Sequence, residues 1–295
     1  MAKFFLYSFI VVASLSSCVK NNPDPSWLEV TAWTLEANSE LNTAEGQLTH
    51  NISEAWVYVD DAIVGVFEVP FKIPILKSGN VNIKIYPAVK NNGIASTKKM
   101  YPFLEFFEIN TTLTQNQTLL INPTTKYKSN CTFYIEDFED AQVNMIDDND
   151  YAAGTLYVDN DPTILQSFNE GGFGRVDLDN SIDTNWLSST NFSEFEGSDL
   201  PRGQDVYLEL DFYNTNEVLT GLLAVTSSSS LQNWNVQLNA QSDTDVKWKH
   251  IYIDLKELIG GSSSSALFQQ IFRAKIDEGD TQGLIVIDNL KIVHF

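Results

Sequence analysis

Short runs of alternating apolar and polar residues recur along the chain and predict an all-β protein. Residues 55–60 and 81–86 alternate cleanly, and the polar turns at 60–61 and 91–93 separate such runs. The longest run, residues 205–213, is apolar at every second position. Because successive side chains of a strand point to opposite faces, each run should bury one face and leave the other to solvent. The pattern therefore predicts packed β-sandwiches.

Charge divides the chain near residue 125. The 295 residues include 18 Lys and Arg against 39 Asp and Glu, a net charge of −21. Residues 18–130 hold 9 basic and 11 acidic residues, whereas residues 131–295 hold 8 and 28. We therefore predict a small sandwich at 27–110, a polar linker at 111–130 and a larger, acidic sandwich at 131–295. So acidic a chain is poorly suited to nucleic acid, which is bound largely through Lys and Arg.

The first 18 residues have the pattern of a secretion signal. Lys3 precedes an apolar run at 4–15 that is too short for the roughly 20 residues of a membrane-spanning helix. The following Leu-Ser-Ser-Cys resembles a bacterial lipobox. It implies removal of residues 1–17, lipidation of Cys18 and a Pro-containing tether at 18–26. Our leading hypothesis places the protein on the outer membrane, facing outward, although the sequence itself does not fix the side. The alternative is an ordinary signal peptide with a chance cysteine.

The first sandwich resembles PEGA-like and related immunoglobulin-like modules of bacterial surface proteins. The resemblance covers about 30 residues, 57–87, which read VYVDDAIVGVFEVPFKIPILKSGNVNIKIYP. It implies an adaptor or spacer without catalysis.

The acidic sandwich resembles galactose-binding-like jelly rolls, a layout that many carbohydrate-binding modules of Bacteroidota surface lipoproteins share. The matching segments are FYIEDFED (133–140), WKHIYIDLKELI (248–259), FRAKIDEG (272–279) and IVIDNLKIVHF (285–295). The resemblance implies a jelly-roll β-sandwich whose first and last strands lie side by side. It also implies a structural Ca²⁺ where those two strands meet.

Four carboxylates are candidate ligands for that Ca²⁺: Glu136, Asp137, Glu139 and Asp288. Calcium prefers six to eight oxygen ligands, and paired first and last strands would bring these side chains together. The alternative is a solvated acidic edge that discourages aggregation.

Trp186 and Trp234 lie in polar surroundings and are candidate ligand-binding residues, because aromatic faces flanked by Asn and Asp suit sugar rings. The alternative places both rings in the core. Cys131 has no partner in the mature chain and should be a buried free thiol. The three histidines stand apart and no catalytic motif occurs, so no enzymatic activity is expected.

Two functions are open at this point. The first is a non-catalytic outer-membrane lipoprotein that serves as a binding or accessory subunit of an outer-membrane protein complex. The alternative is a glycan-binding lipoprotein that captures polysaccharide. Exposed aromatics beside polar loops would favour glycan, and a broad apolar patch on one sheet face would favour a protein partner.

Overall fold

The computed structural model describes residues 24–150, 152–164, 171–191 and 200–295, so the signal peptide and Cys18 lie outside the described residues. The first domain consists of strands β1 (Ser26–Val30), β2 (Thr34–Leu35), β3 (Glu54–Val59), β4 (Ala62–Glu68), β5 (Phe71–Ile75), β6 (Gly79–Lys90), β7 (Lys98–Met100), β8 (Phe107–Leu113), β9 (Thr118–Ile121) and β10 (Thr124–Thr125). The second consists of β11 (Thr132–Glu136), β12 (Met145–Asp147), β13 (Tyr157–Asp159), β14 (Phe173–Asp179), β15 (Asn185–Thr190), β16 (Val206–Asn214), β17 (Val218–Val225), β18 (Ser230–Leu238), β19 (Lys249–Asp254), helix α1 (Lys256–Gly261), β20 (Leu267–Lys275) and β21 (Gln282–His294). The all-β prediction is confirmed.

The first domain packs a three-stranded sheet, β5-β1-β9, against a five-stranded sheet in which β4-β3-β6-β7 is extended by β8 on β6. The segment 111–130, predicted as a linker that could hold a strand at 119–121, contains the end of β8 and all of β9 and β10 and so belongs largely to the first sandwich. The apolar residues Leu119 and Ile121 make this segment a strand, and β9 pairs in parallel with β1. The chain therefore enters the second domain only after completing the first sandwich.

The second domain is a larger sandwich. Its six-stranded sheet runs β13-β14-β21-β16-β19 with β11 paired to β21, and its five-stranded sheet runs β12-β15-β20-β17-β18. The expected neighbourhood of first and last strands is confirmed, because β11 pairs antiparallel with β21 from Thr132 opposite His294 to Glu136 opposite Leu290. Among the described residues, no helix is long and apolar enough to cross a membrane.

The six-stranded sheet is buried on both faces, which the alternating pattern did not predict. Val206 to Phe212 are all buried in β16. The even-numbered residues of this run pack in the sandwich core, whereas Tyr207 belongs to an apolar cluster shared with the first domain. Tyr252 of β19 and Val293 of β21 belong to the same cluster. The first domain therefore covers the outer face of this sheet around β16, and residues of both domains form one apolar cluster there, separate from the core of the second sandwich.

Candidate functional site

A buried polar network joins the two domains at this interface. The carboxylate of Glu209 on β16 is fully buried and accepts hydrogen bonds from the hydroxyls of Tyr101 (2.5 Å) and Tyr127 (2.7 Å) of the first domain. Two residues further along β16, Asp211 lies 2.7 Å from the His250 ring and 3.0 Å from the Asn289 amide. Buried polar groups are costly unless they are paired, so this network fixes how the domains meet.

Lys291 supplies the buried cation of this network. Its ammonium donates to the backbone carbonyl of Gln47 in the first domain, and its side chain is fully buried. Burial lowers the pKa of Lys291, while the negative charges of Glu209 and Asp211 oppose that shift. Glu209 and Lys291 thus supply opposite charges to the buried part of one interface.

A turn of the first domain packs against β19, the edge strand of the six-stranded sheet. Asn92 adopts a left-handed backbone conformation, and its N–H donates to the carbonyl of Tyr252 at 2.8 Å. In return, the Asn92 side-chain oxygen accepts from the N–H of Asp254 at 2.8 Å. The turn predicted at 91–93 therefore docks on β19 and blocks its free edge, a protection that exposed edge strands commonly need.

A cleft of about 1180 Å³ opens beside this docked turn, between the two domains. The first domain contributes the segments 46–51 and 90–94, and the second contributes residues of β16, β18 and β19 with the loop that follows β18. Ligand pockets commonly enclose roughly 300–1000 Å³ and occur at domain interfaces. The cleft is therefore large enough for an oligomeric ligand, and it exists only when both domains are in place.

Aromatic, amide and cationic side chains line this cleft together. Trp248 directly precedes β19 and is half-buried. Its indole N–H donates to the carbonyl of Ile164 at 2.7 Å. The amides include Asn51, Asn92, Gln237 and Asn239, and the cations include Lys90 and Lys249. An anchored ring next to many neutral hydrogen-bonding groups suits a ligand that combines apolar ring faces with hydroxyls.

Some polar atoms at the cleft wall have no hydrogen-bond partner within the part of the chain that the structure describes. They are the side-chain oxygen of Gln47 and Nε2 of His250, and the latter lies 3.8 Å from the Glu209 carboxylate. Nearby, burial and the neighbouring His250 lower the pKa of His50. The unpartnered atoms of Gln47 and His250 are buried, so they do not face the open cleft.

Trp186 is not a ligand-binding residue. Its ring is fully buried in the sandwich core, stacks on Phe272 at 6.1 Å and donates from Nε1 to Asp147 at 2.9 Å. The polar residues around it suggested a surface position, but Trp186 alternates with them on β15 and points inward. The alternative reading, a core ring, is the one observed.

Trp234 lies on the outer face of the five-stranded sheet. It is half-buried on the edge strand β18, and the Arg273 guanidinium lies 4.8 Å from its ring centroid. A shallow groove of about 330 Å³ beside Arg273 shares Gln237 with the large cleft. Trp234 thus stays accessible near the cleft, whereas Trp248, which sequence reasoning placed only in a strand, lines the cleft itself.

The four candidate calcium ligands do not form a common cluster. Glu136 is buried and its carboxylate accepts backbone N–H groups of Phe138 (2.8 Å) and Asn144, and burial raises its pKa. Asp288 is also buried, Asp137 is half-buried and Glu139 is exposed. Across the ranges described, no group of three or more His, Cys, Asp or Glu is arranged to hold a metal ion. Calcium here stays a prediction from the sequence, which melting with and without EDTA can test.

Cys131 is a buried free thiol, as expected. It packs in the interdomain cluster, and burial raises its pKa to about 12. A thiol held in the neutral form is a poor nucleophile and metal ligand.

No protein-family model and no curated protein matches this chain. Among solved structures, it is similar to a family 29 carbohydrate-binding module complexed with mannohexaose, at 13% identity and a TM-score of 0.33, over 55% of this chain and 92% of that one. It is also similar to a carbohydrate-binding module of the β-sandwich superfamily with promiscuous specificity, at 13% identity and a TM-score of 0.36, over 82% of this chain and 85% of that one. Both neighbours are distant in sequence, and mannohexaose is the ligand of the family 29 module in that structure.

Proposed function

We propose that this protein is a non-catalytic, glycan-binding lipoprotein of the bacterial cell surface and that the interdomain cleft is its binding site. The observation that carries the proposal is the lining of the cleft, where the anchored ring of Trp248 meets several neutral amides. Sugars present apolar ring faces and many hydroxyls, so they need both kinds of group in one site. Cys18, outside the described residues, supplies the lipid anchor in this proposal.

The amides at the open end of the cleft test this proposal. We expect Gln237→Ala and Asn239→Ala each to weaken glycan binding about fivefold, because each removes hydrogen bonds worth roughly 1 kcal/mol to the ligand. Gln115→Ala is the matched control, since Gln115 is an exposed amide between β8 and β9 that lines neither the cleft nor the groove beside Arg273. Glycan-array screening of the detergent-solubilised protein identifies the ligand, and calorimetry measures the variants. Equal affinities for all three variants would place the site elsewhere.

Membrane attachment is expected to depend on Cys18. Cys18→Ala should release the protein from membranes, because acyl chains contribute roughly 0.8 kcal/mol per buried CH₂ and the 4–15 run is too short to span a bilayer. Fractionation after a high-salt wash measures the release. If the variant stays in the membrane fraction, the lipoprotein assignment loses its basis.

A second candidate function, docking to another protein, is favoured by an aromatic patch on the first domain. Trp56 pairs with Tyr86 across β3 and β6, and Phe106 stacks on Tyr86 at 4.8 Å while 43% exposed. An exposed aromatic patch suits a protein partner, because aromatic residues are enriched at protein–protein interfaces. A blank glycan screen together with a co-purifying membrane protein would put this function first.

A further inference from the structure

The unpaired cations of the second domain lie along one path. Residues 131–295 contain eight basic residues. Five of them have partners: Arg175 with Asp159, Lys247 with Asp245, Lys256 with Asp205, Arg202 with the carbonyl of Ile259, and Lys291 with the carbonyl of Gln47. The other three, Lys249, Arg273 and Lys275, form no ion pair with any residue that the structure describes, and all three line the cleft or the shallow groove beside it.

The cleft and the groove form one continuous surface. Gln237 lines both, and on the outer sheet face it stands opposite Leu219, which in turn stands opposite Arg273. Two strand spacings of about 4.8 Å separate Gln237 from Arg273. Trp234 projects from the same face, opposite Gly221, which is two residues along β17 from Leu219. The Arg273 guanidinium lies over the Trp234 ring. A chain-like ligand can therefore leave the cleft at Gln237 and continue over Trp234.

Three acidic residues also lie on this path. Asp211, at the cleft wall, is buried and bound to His250. In the groove, Glu217 is exposed and Asp277 is half-buried, and the Asp277 carboxylate accepts the backbone N–H of Glu217 at 3.1 Å. Both carboxylates keep their charge, but neither forms an ion pair with Arg273 or Lys275 among the described residues, so the three cations stay available to anionic groups of a ligand.

We propose that the ligand is an acidic polysaccharide that runs from the interdomain cleft, past Gln237, to Trp234 and the groove beside Arg273. This proposal rests on the proposed glycan-binding function and names the class of glycan. Carboxylate or sulfate groups along the chain would pair with Lys249, Arg273 and Lys275, while its sugar rings contact Trp248 in the cleft and Trp234 next to the groove.

A panel of polymers tests this inference on the detergent-solubilised protein. The acidic probes are polygalacturonate, alginate and chondroitin sulfate, and the neutral probes are galactan, mannan and fully methyl-esterified polygalacturonate, which keeps the backbone and removes the charge. We expect at least one acidic probe to bind about tenfold more tightly than every neutral probe, and salt to weaken that binding by screening. Binding of neutral probes alone would overturn this inference and leave the proposed function intact. Binding of none of the panel, together with a blank glycan array, would overturn both.

Charge variants locate the site. Lys249→Gln, Arg273→Gln and Lys275→Gln should each weaken binding of the acidic probe about threefold, as expected for exposed ion pairs. Lys247→Gln is the matched control, because Lys247 is exposed two residues from Lys249 and does not line the cleft. Wild-type affinity in all three path variants, or an equal loss in the control, would overturn the inference. Melting curves confirm that each variant is folded.

Discussion

Replacing Glu209 by alanine is expected to destabilise the protein by about 3–5 kcal/mol, the cost of breaking a buried charged network from one side. The substitution leaves the hydroxyls of Tyr101 and Tyr127 without their acceptor, and it removes a negative charge that favours the buried ammonium of Lys291. Urea unfolding measures the change. Both domains should lose stability together, because these side chains join them.

Two further variants separate the network from general damage. Glu278→Ala should change stability by less than about 0.5 kcal/mol, because Glu278 is exposed. In the double variant Glu209→Leu and Lys291→Met, the loss should be smaller than the sum of the two single losses, because neither charge is then left buried alone. A loss below about 1 kcal/mol for Glu209→Ala would show that the network does not hold the domains together.

The same network shows where the sequence stops predicting the structure. Alternation at 205–213 correctly predicted a strand and its inward face. Tyr207, Glu209 and Asp211 occupy the positions that the period assigns to solvent, and nothing local distinguishes a solvated polar face from one covered by a second domain. Their burial depends on partners more than 80 residues away along the chain, such as Tyr101 and Tyr127.

The cleft could not be predicted for a similar reason. Its lining comes from 46–51, 90–94 and the region 237–252, and each segment alone reads as a turn or a strand. Long-range contacts bring the segments together, such as the docking of Asn92 on β19 and the hydrogen bond from Lys291 to the carbonyl of Gln47. The pairing of the first and last strands was predictable, because the resemblance to galactose-binding-like jelly rolls implies that pairing. Local patterns of apolar and polar residues cannot indicate which distant strands pair.

The two candidate tryptophans should behave oppositely on truncation. Trp186→Ala should cost about 3–5 kcal/mol of stability, because it leaves a large cavity in the core and removes the indole N–H that Asp147 accepts. Trp234→Ala is the matched control. Its ring is half-buried on an edge strand with one face against Arg273, so a loss of about 1 kcal/mol is expected. Denaturant unfolding measures the stability of both variants, and calorimetry with the acidic probe measures their binding. Among the molecules that remain folded, only Trp234→Ala should bind the probe more weakly. A stable Trp186→Ala variant would contradict the core position of that ring, and unchanged binding by Trp234→Ala would remove Trp234 from the binding path.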